Sequence, residues 1–208
     1  MTTPEAARSL LLTIDVQADF VTAIEGTAEA VPNMARLVQA FRAAGRPIIH
    51  MVRLYRADGS NVDLCRRAAV IEGWSIVRPG SPGAELAAEL TPPGTRLDAL
   101  TLLNQRPQMI WDQVWVMYKP RWGAFYQTSL EQMVSRLSVN TVVVCGCNFP
   151  NCPRTTVYEA SERDLRVMVV ADALSGLYDQ GHAELESIGV RVPNTQACLD
   201  WLGPERLP

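Results

Sequence analysis

The sequence predicts a single α/β domain built on a parallel sheet, and three observations predict it. Short, nearly continuous apolar runs of strand length recur at residues 9–14, 47–52, 113–118, 141–145 and 166–170, the pattern of strands buried on both faces. Stretches with apolar residues at helical spacing lie between several of them, and that alternation argues for crossover units on a parallel sheet. No repeat, low-complexity segment or long linker divides the 208 residues, a length that supplies one full core.

Residues 9–14 form the first strand, closed by Asp15, with Gln17, Asp19 and Phe20 in the loop beyond. Residues 32–44 carry Met34, Leu37, Val38 and Phe41 at i, i+3, i+4 and i+7, one face of an amphipathic helix. Gly45 follows as its C′ residue, and residues 47–52 give a second strand. This strand–helix–strand unit is expected to be right-handed. Residues 53–80 are polar and turn-rich, with a turn at Asp58-Gly59. Residues 84–90 read as a short helix stopped by Pro92-Pro93-Gly94. The stretch from Leu97 to Ile110 has two readings, a short helix or a hairpin.

Residues 113–118 make the third strand, with Lys119 at its carboxyl end and a turn over residues 120–123. Thr128 and Glu131 have capping-box spacing, ahead of Leu130, Met133, Val134 and Leu137 at helical spacing. The most organised stretch runs from Thr141 to Asp172: a strand over 141–145, a turn at Gly146, a helix opening at Cys152-Pro153, and a strand over 166–170. Proline is favoured at the first helical position because no N–H is needed there. Residues 189–192 read as a short sixth strand. Thr195 reads as the cap of a last helix, buried through Cys198, Trp201 and Leu202 and ended by Gly203-Pro204.

Composition narrows the function classes. Hydrophobic residues make up 48% and charged residues 20%, ordinary for a globular protein. A net charge of −3 gives no basic footprint for nucleic acid. No apolar run has the length of a membrane span, and the N-terminal apolar stretch is too short for a signal peptide. Five cysteines without framework spacing fit a reducing, cytoplasmic setting.

Three candidate groups share one address. Asp15, Lys119 and Cys152 each stand just beyond a predicted buried strand, and open parallel sheets bind ligands outside their carboxyl ends. At the N-terminus of a helix the Cys152 thiol is expected to ionise more easily than a free one. An acid, an ammonium and a thiol there make a nucleophilic site. Asp15 takes and returns the proton, Lys119 holds charge and orients Asp15, and turn amides hold an oxyanion. Each group also has a plain structural reading: a turn cap for Asp15, a strand-end lysine for Lys119, a small buried hydrophobe for Cys152.

These same pieces resemble the isochorismatase-like cysteine hydrolases, the superfamily of nicotinamidases, N-carbamoylsarcosine amidases and related small-amide hydrolases. The matching stretches are LLTIDVQADF (11–20), YKPRWGAFYQTSLE (118–131), VVVCGCNFPNCPRTTVYEA (142–160) and VVADA (169–173), and His182 fits a histidine often found in the next helix. The resemblance implies a three-layer αβα Rossmann-like sandwich with a six-stranded parallel sheet between helices. It implies Asp15, Lys119 and Cys152 as a catalytic triad, a cis peptide between Cys147 and Asn148, and the Asn148 and Cys152 N–H groups as the oxyanion hole. It implies a homodimer or homotetramer, for which Trp74 and Trp111 are candidate contacts. The expected activity is cleavage of a C–N bond in a small amide or ureido compound through a thioester. The alternative is attack on an ester or vinyl ether, as in relatives that cleave isochorismate, some of which lack the cysteine. Phe20, Arg53, Trp122 and Phe125 are candidates for binding the substrate, with Arg56 and Arg121 as further pocket candidates.

The chain departs from the zinc-binding relatives. They place an Asp-x-His pair after the second strand, whereas this region reads IIHMVRLYRADGSN. No metal and no cofactor are therefore expected, and His50 reads as a packed strand residue. Two other function classes fit less well. A nucleotide-binding module would need a G-x-G-x-x-G or a P-loop, and neither occurs. A redox sensor would use Cys147 and Cys152.

Overall fold

A computed structural model describes residues 3–203; Pro204, expected to end the last helix, lies outside them. Six strands form one sheet: β1 (Ser9–Ile14), β2 (Ile48–Val52), β3 (Gln108–Trp111), β4 (Val114–Tyr118), β5 (Thr141–Gly146) and β6 (Arg166–Leu174). Their order is β3-β4-β2-β1-β5-β6. The pairs β1–β2, β1–β5, β2–β4 and β5–β6 are parallel. The order reverses at β1, with β2 on one side and β5 on the other.

Every residue of β1 is buried, because the sheet is covered on both faces. Leu10, Leu12 and Ile14 pack with Leu130 and Met133 of α5 (Leu130–Arg136) and with Val157 and Ala160 of α6 (Cys152–Ser161). Leu11, on the opposite face, packs with Met34, Leu37 and Phe41 of α2 (Thr27–Ala43) and Cys198 of α8 (Thr195–Leu202). The three-layer α/β architecture is as expected, and several details differ.

The sixth strand is not at 189–192, which pairs with β6 only as an isolated Met168–Arg191 bridge. It is β3, antiparallel to β4 across a tight turn at Asp112-Gln113. Gln113 takes a φ of +57° there. The stretch from Leu97 to Ile110 contains both of its readings, a one-turn helix α4 (Ala99–Leu103) and then the hairpin strand. As an edge strand, β3 leaves Met109 and Trp111 exposed, with the Arg42 guanidinium 4.1 Å from the Trp111 ring centre.

Helix α2 begins at Thr27, not at Pro32, because Thr27, Ala30 and Val31 extend the buried stripe N-terminally. Residues 84–90 form two 3-10 turns, Pro82–Ala84 and Ala88–Leu90. Asp19 and Phe20 lie not in a loop but in a short helix α1 (Ala18–Ala23), and the chain between the two 3-10 turns pairs with its start: Ala18 N donates to Glu85 O and Ala87 N to Val16 O. The capping box at Thr128 does not form; Thr128 Oγ1 donates to Ala124 O and Glu131 pairs with Arg163. Asn194, not Thr195, caps α8, accepting from Ala197 N at 2.8 Å. Thr195 is instead held by Asp172.

His50 lies fully buried in β2, where its Nδ1 meets Thr13 Oγ1 at 2.8 Å. Burial pushes its pKa down to about 4. The unfolded chain, with an ordinary histidine pKa near 6.5, takes up a proton first as pH falls, so stability is present at neutral pH and is lost towards pH 4. Between pH 7 and pH 5 this one group should remove about 2 kcal/mol. Urea unfolding at the two pH values should show a smaller difference in a His50→Gln protein than in the parent chain. Equal differences would mean that His50 is not the group titrating.

Candidate active site

The site lies where β1 and β5 end. Gly146 closes β5 opposite Ile14 with a φ of +126°, and a Cβ there would sit 2.2 Å from the Ile14 carbonyl oxygen. Only glycine allows this approach, which brings the loop after β5 against the end of β1. Asp15 follows at a φ of +56°, a left-handed conformation that aspartate tolerates better than most residues. Its N–H donates to Met51 O, and its carbonyl accepts from Gln17 N and from Cys147 Sγ at 3.2 Å.

Lys119, immediately after β4, is fully buried and donates to Asp15 Oδ2 at 2.9 Å. It also donates to Arg121 O at 3.2 Å. The other Asp15 oxygen, Oδ1, is buried without a hydrogen-bond partner. Cys152 is the first residue of α6 and is 6% exposed. Asp15, Cys147, Asn148 and Cys152 line one small cavity of about 20 Å³ together with Phe20, Ile24, Arg53, Tyr55 and Arg66. That volume holds about one water.

The expectation of an easily ionised thiol is overturned. Burial, and then the charge of Asp15, push Cys152 up to about 11, with Lys119 and Arg53 pulling the other way. The helix N-terminus was legible in the sequence; the low-dielectric seat and the facing carboxylate were not. The resting group is therefore a neutral thiol.

The Cys147–Asn148 peptide bond is cis. Phe149 N donates to Ser175 O and Asn151 N to Asn148 O, whereas the Asn148 and Cys152 N–H groups donate to no acceptor among the described residues. Two free amides thus belong to residues that line the thiol's cavity, one of them at the positive end of a helix dipole.

The other candidates divide. Phe20 and Arg53 line the cavity. Trp122 lines a different, open depression with Asp63, Arg121, Tyr126 and Glu159. Phe125 is packed in the apolar core, 4.7 Å below the Arg163 guanidinium. Neither lines the cavity at the thiol, although Phe125 shares an apolar cluster with Cys152; Glu159 accepts from Phe125 N. His182 is on α7 (Asp179–Ser187), partly exposed, 3.5 Å from Glu186.

The sequence points to Arg53, but not to its partners in residues 55–66. Arg53 is 1% exposed. Its Nη2 donates to Tyr55 Oη at 2.8 Å and pairs with Asp63 Oδ2, which Arg66 Nη1 also reaches at 3.1 Å. Burial alone would raise the Asp63 carboxyl; Arg53, Tyr55 and Arg66 together leave it below its ordinary value. Gln17 anchors this segment, donating to Arg53 O and accepting from Arg53 N. Among the described residues no group of three or more His, Cys, Asp or Glu side chains is placed to hold a metal ion, and no helix is long and apolar enough to cross a membrane.

Comparison with known proteins gives a consistent picture. The family model described as an isochorismatase domain matches residues 9–188. A probable inactive nicotinamidase of Arabidopsis thaliana is 31% identical over 194 residues, covering 88% of this chain and 90% of that one. A ureidoacrylate amidohydrolase of Methylobacterium radiotolerans is 24% identical over 98% of this chain and 83% of its own length. The crystal structure of an isochorismatase family protein from Desulfovibrio vulgaris superposes with a TM-score of 0.79 at 30% identity, covering 95% of this chain and 99% of that one.

Proposed function

Because the chain belongs to the isochorismatase family of hydrolases, we propose that it cleaves a C–N bond of a small amide or ureido compound through a thioester on Cys152. The observation that carries this reading is the divided Asp15 carboxylate: one oxygen bonded to Lys119, the other unpartnered in the cavity it shares with the thiol.

In this mechanism Asp15 accepts the thiol proton as the sulfur attacks the carbonyl carbon. A neutral resting thiol suits that role, since attack and deprotonation are then coupled through one base. The Asn148 and Cys152 amides receive the developing oxyanion, an interaction typically worth about 2.7–4 kcal/mol per donor. Asp15 returns the proton to the departing nitrogen, leaving an acyl-thioester. It then deprotonates a water that attacks the same carbon, and the thiol regains its proton as the acid leaves. Lys119 fixes the Asp15 carboxylate throughout.

Support from relatives is of the amidohydrolase kind, as in the ureidoacrylate enzyme. The likeness to a protein described as an inactive nicotinamidase makes nicotinamide a useful negative control. The deciding measurement is ammonia release from a panel of small amides, ureido compounds and nicotinamide, with substrate loss followed by chromatography for these and for a matched set of esters and vinyl ethers. Ammonia from at least one amide or ureido compound is expected. Turnover confined to esters or ethers would replace this reading with the non-amide one.

A further inference from the structure

One glycine of α7 has no conformational reason to be glycine. Gly181 lies in the first turn of the helix with ordinary helical backbone, where alanine is the better helix former. Space explains it. A Cβ on Gly181 would lie 2.4 Å from Phe149 Cε1 and 3.1 Å from Phe149 Cζ. The ring is not free to swing aside, because Phe149 is fully buried and shares an apolar cluster with Cys152, Leu174 and Leu185. The Tyr178 ring meets it edge to face, with centres 5.5 Å apart. Tyr178 is held in turn by Arg154 of α6, whose Nη1 donates to Tyr178 Oη at 2.6 Å while Nη2 pairs with Glu184 of α7 at 2.5 Å.

The backbone beside the ring is tied to the same segment. Phe149 N donates to Ser175 O at 2.8 Å, and Ser175 N donates to Gly146 O at 3.1 Å. Thr27 Oγ1 donates to the buried Ser175 Oγ at 2.9 Å. Gly176 passes so close that a Cβ on it would lie 3.3 Å from Pro150 Cδ and 3.6 Å from Asn148 Cβ. Residues 175–184 therefore grip residues 148–150 through both ring and backbone. Asn148, whose N–H has no acceptor among the described residues, is one peptide away from the gripped ring.

We propose that Gly181 is a positioning residue for the oxyanion hole: by making room for the Phe149 ring against α7, it holds the Asn148 N–H at the cavity of Cys152. This deepens the hydrolase reading and takes one premise from it, that an adduct on Cys152 sets a negative oxygen against the Asn148 and Cys152 amides. A methyl group on residue 181 pushes the ring, the ring pushes its own backbone, and the Asn148 amide moves with it.

Acetaldehyde tests this without knowledge of the substrate. The Cys152 thiol adds across its carbonyl: the S–C bond forms, the π bond breaks and the thiol proton passes to oxygen, reversibly and with no oxidation. That oxygen draws on the hole. Iodoacetamide instead loses iodide from a saturated carbon and makes no oxyanion. The acetaldehyde concentration that half-protects Cys152 from iodoacetamide thus reads the hole, and the alkylation rate without acetaldehyde reads access to the sulfur. Peptide mass spectrometry separates Cys152 from the exposed Cys65.

In Gly181→Ala the protecting concentration should rise about tenfold or more, the partial loss of one donor, while the alkylation rate stays close to the parent's. Adding Phe149→Leu, which takes the ring out of the methyl's path, should recover part of that loss. With a substrate from the ammonia panel, Gly181→Ala should lose about 10–100-fold in kcat with KM nearly unchanged, because the donor acts only once the oxyanion forms. If Gly181→Ala does not fold, Tyr178→Leu replaces it: Tyr178 is 41% exposed, its removal frees the edge of the Phe149 ring, and weaker protection is again expected. Equal protection in parent and variant, no protection in the parent, or a parallel change in protection and alkylation overturns the inference. Protection that the variant weakens, with no ammonia from any compound of the panel, supports the inference and overturns the hydrolase reading.

Discussion

Replacing Cys152 by alanine is expected to abolish turnover, with a loss of about 10⁴-fold or more in kcat, while the protein still folds. The folding half of this expectation follows from position. Cys152 opens α6, keeps 6% exposure and lines a cavity, so the apolar cluster does not enclose it fully. Alanine keeps the helix start and leaves Pro153 in the first turn. The activity half follows from chemistry: without sulfur there is no atom to carry the acyl group, and the free amides of Asn148 and Cys152 have no tetrahedral adduct to stabilise. Acid-quenched parent enzyme mixed with substrate should show a covalent adduct on the peptide containing Cys152, and the alanine protein should show none. Cys65→Ser, far out on the exposed start of α3 (Leu64–Ile71), should change neither result. Undiminished turnover in Cys152→Ala would remove the thioester from the mechanism, whatever else lines the cavity.

How far the sequence could be read depended on where order comes from. Asp15, Lys119 and Cys152 were legible because each borders a strand whose apolar run is uninterrupted, so the strand ends are well defined and the sheet brings those ends together. The Arg53–Asp63–Arg66 network was not. Its segment has no period of its own and is ordered by distant partners: Gln17 on the Arg53 backbone, the Asp19 carboxylate on Val77 N, and Leu86 bridged to Gln17. The start of α2 was hidden because Pro32 resembles a helix start, although the stripe of Thr27, Ala30 and Val31 continues upstream of it. The antiparallel edge was hidden because β3 is four residues long and half exposed. The direction of the thiol's titration failed for a different reason. A helix N-terminus is visible in sequence, whereas the burial and the carboxylate that outweigh it are tertiary facts.

Asp15→Asn should lower kcat/KM by about 10²–10⁴-fold, the usual worth of a positioned general base, and should also destabilise the fold, because Lys119 is left charged and fully buried without its partner. Breaking such a pair typically costs about 3–5 kcal/mol, so loss of activity alone would not separate catalysis from collapse. Two measurements do. In the double variant Asp15→Asn/Lys119→Met no buried charge is orphaned, so urea stability should recover relative to either single variant while activity does not. The pH profile supplies the second. With Asp15 present, attack needs no prior ionisation of a thiol that sits at about 11. Without it, residual activity must draw on thiolate formed by titration; the thiol also loses the carboxylate charge that helps raise it, so activity should climb about tenfold per pH unit only up to the variant's own, lower thiol pKa, read from Cys152 alkylation against pH. The parent enzyme should lack that slope. A folded Asp15→Asn protein with parental activity, or one whose residual activity does not follow the variant's own thiol titration, would mean that the proton leaves Cys152 by another route and that the Asp15–Lys119 pair serves the fold alone.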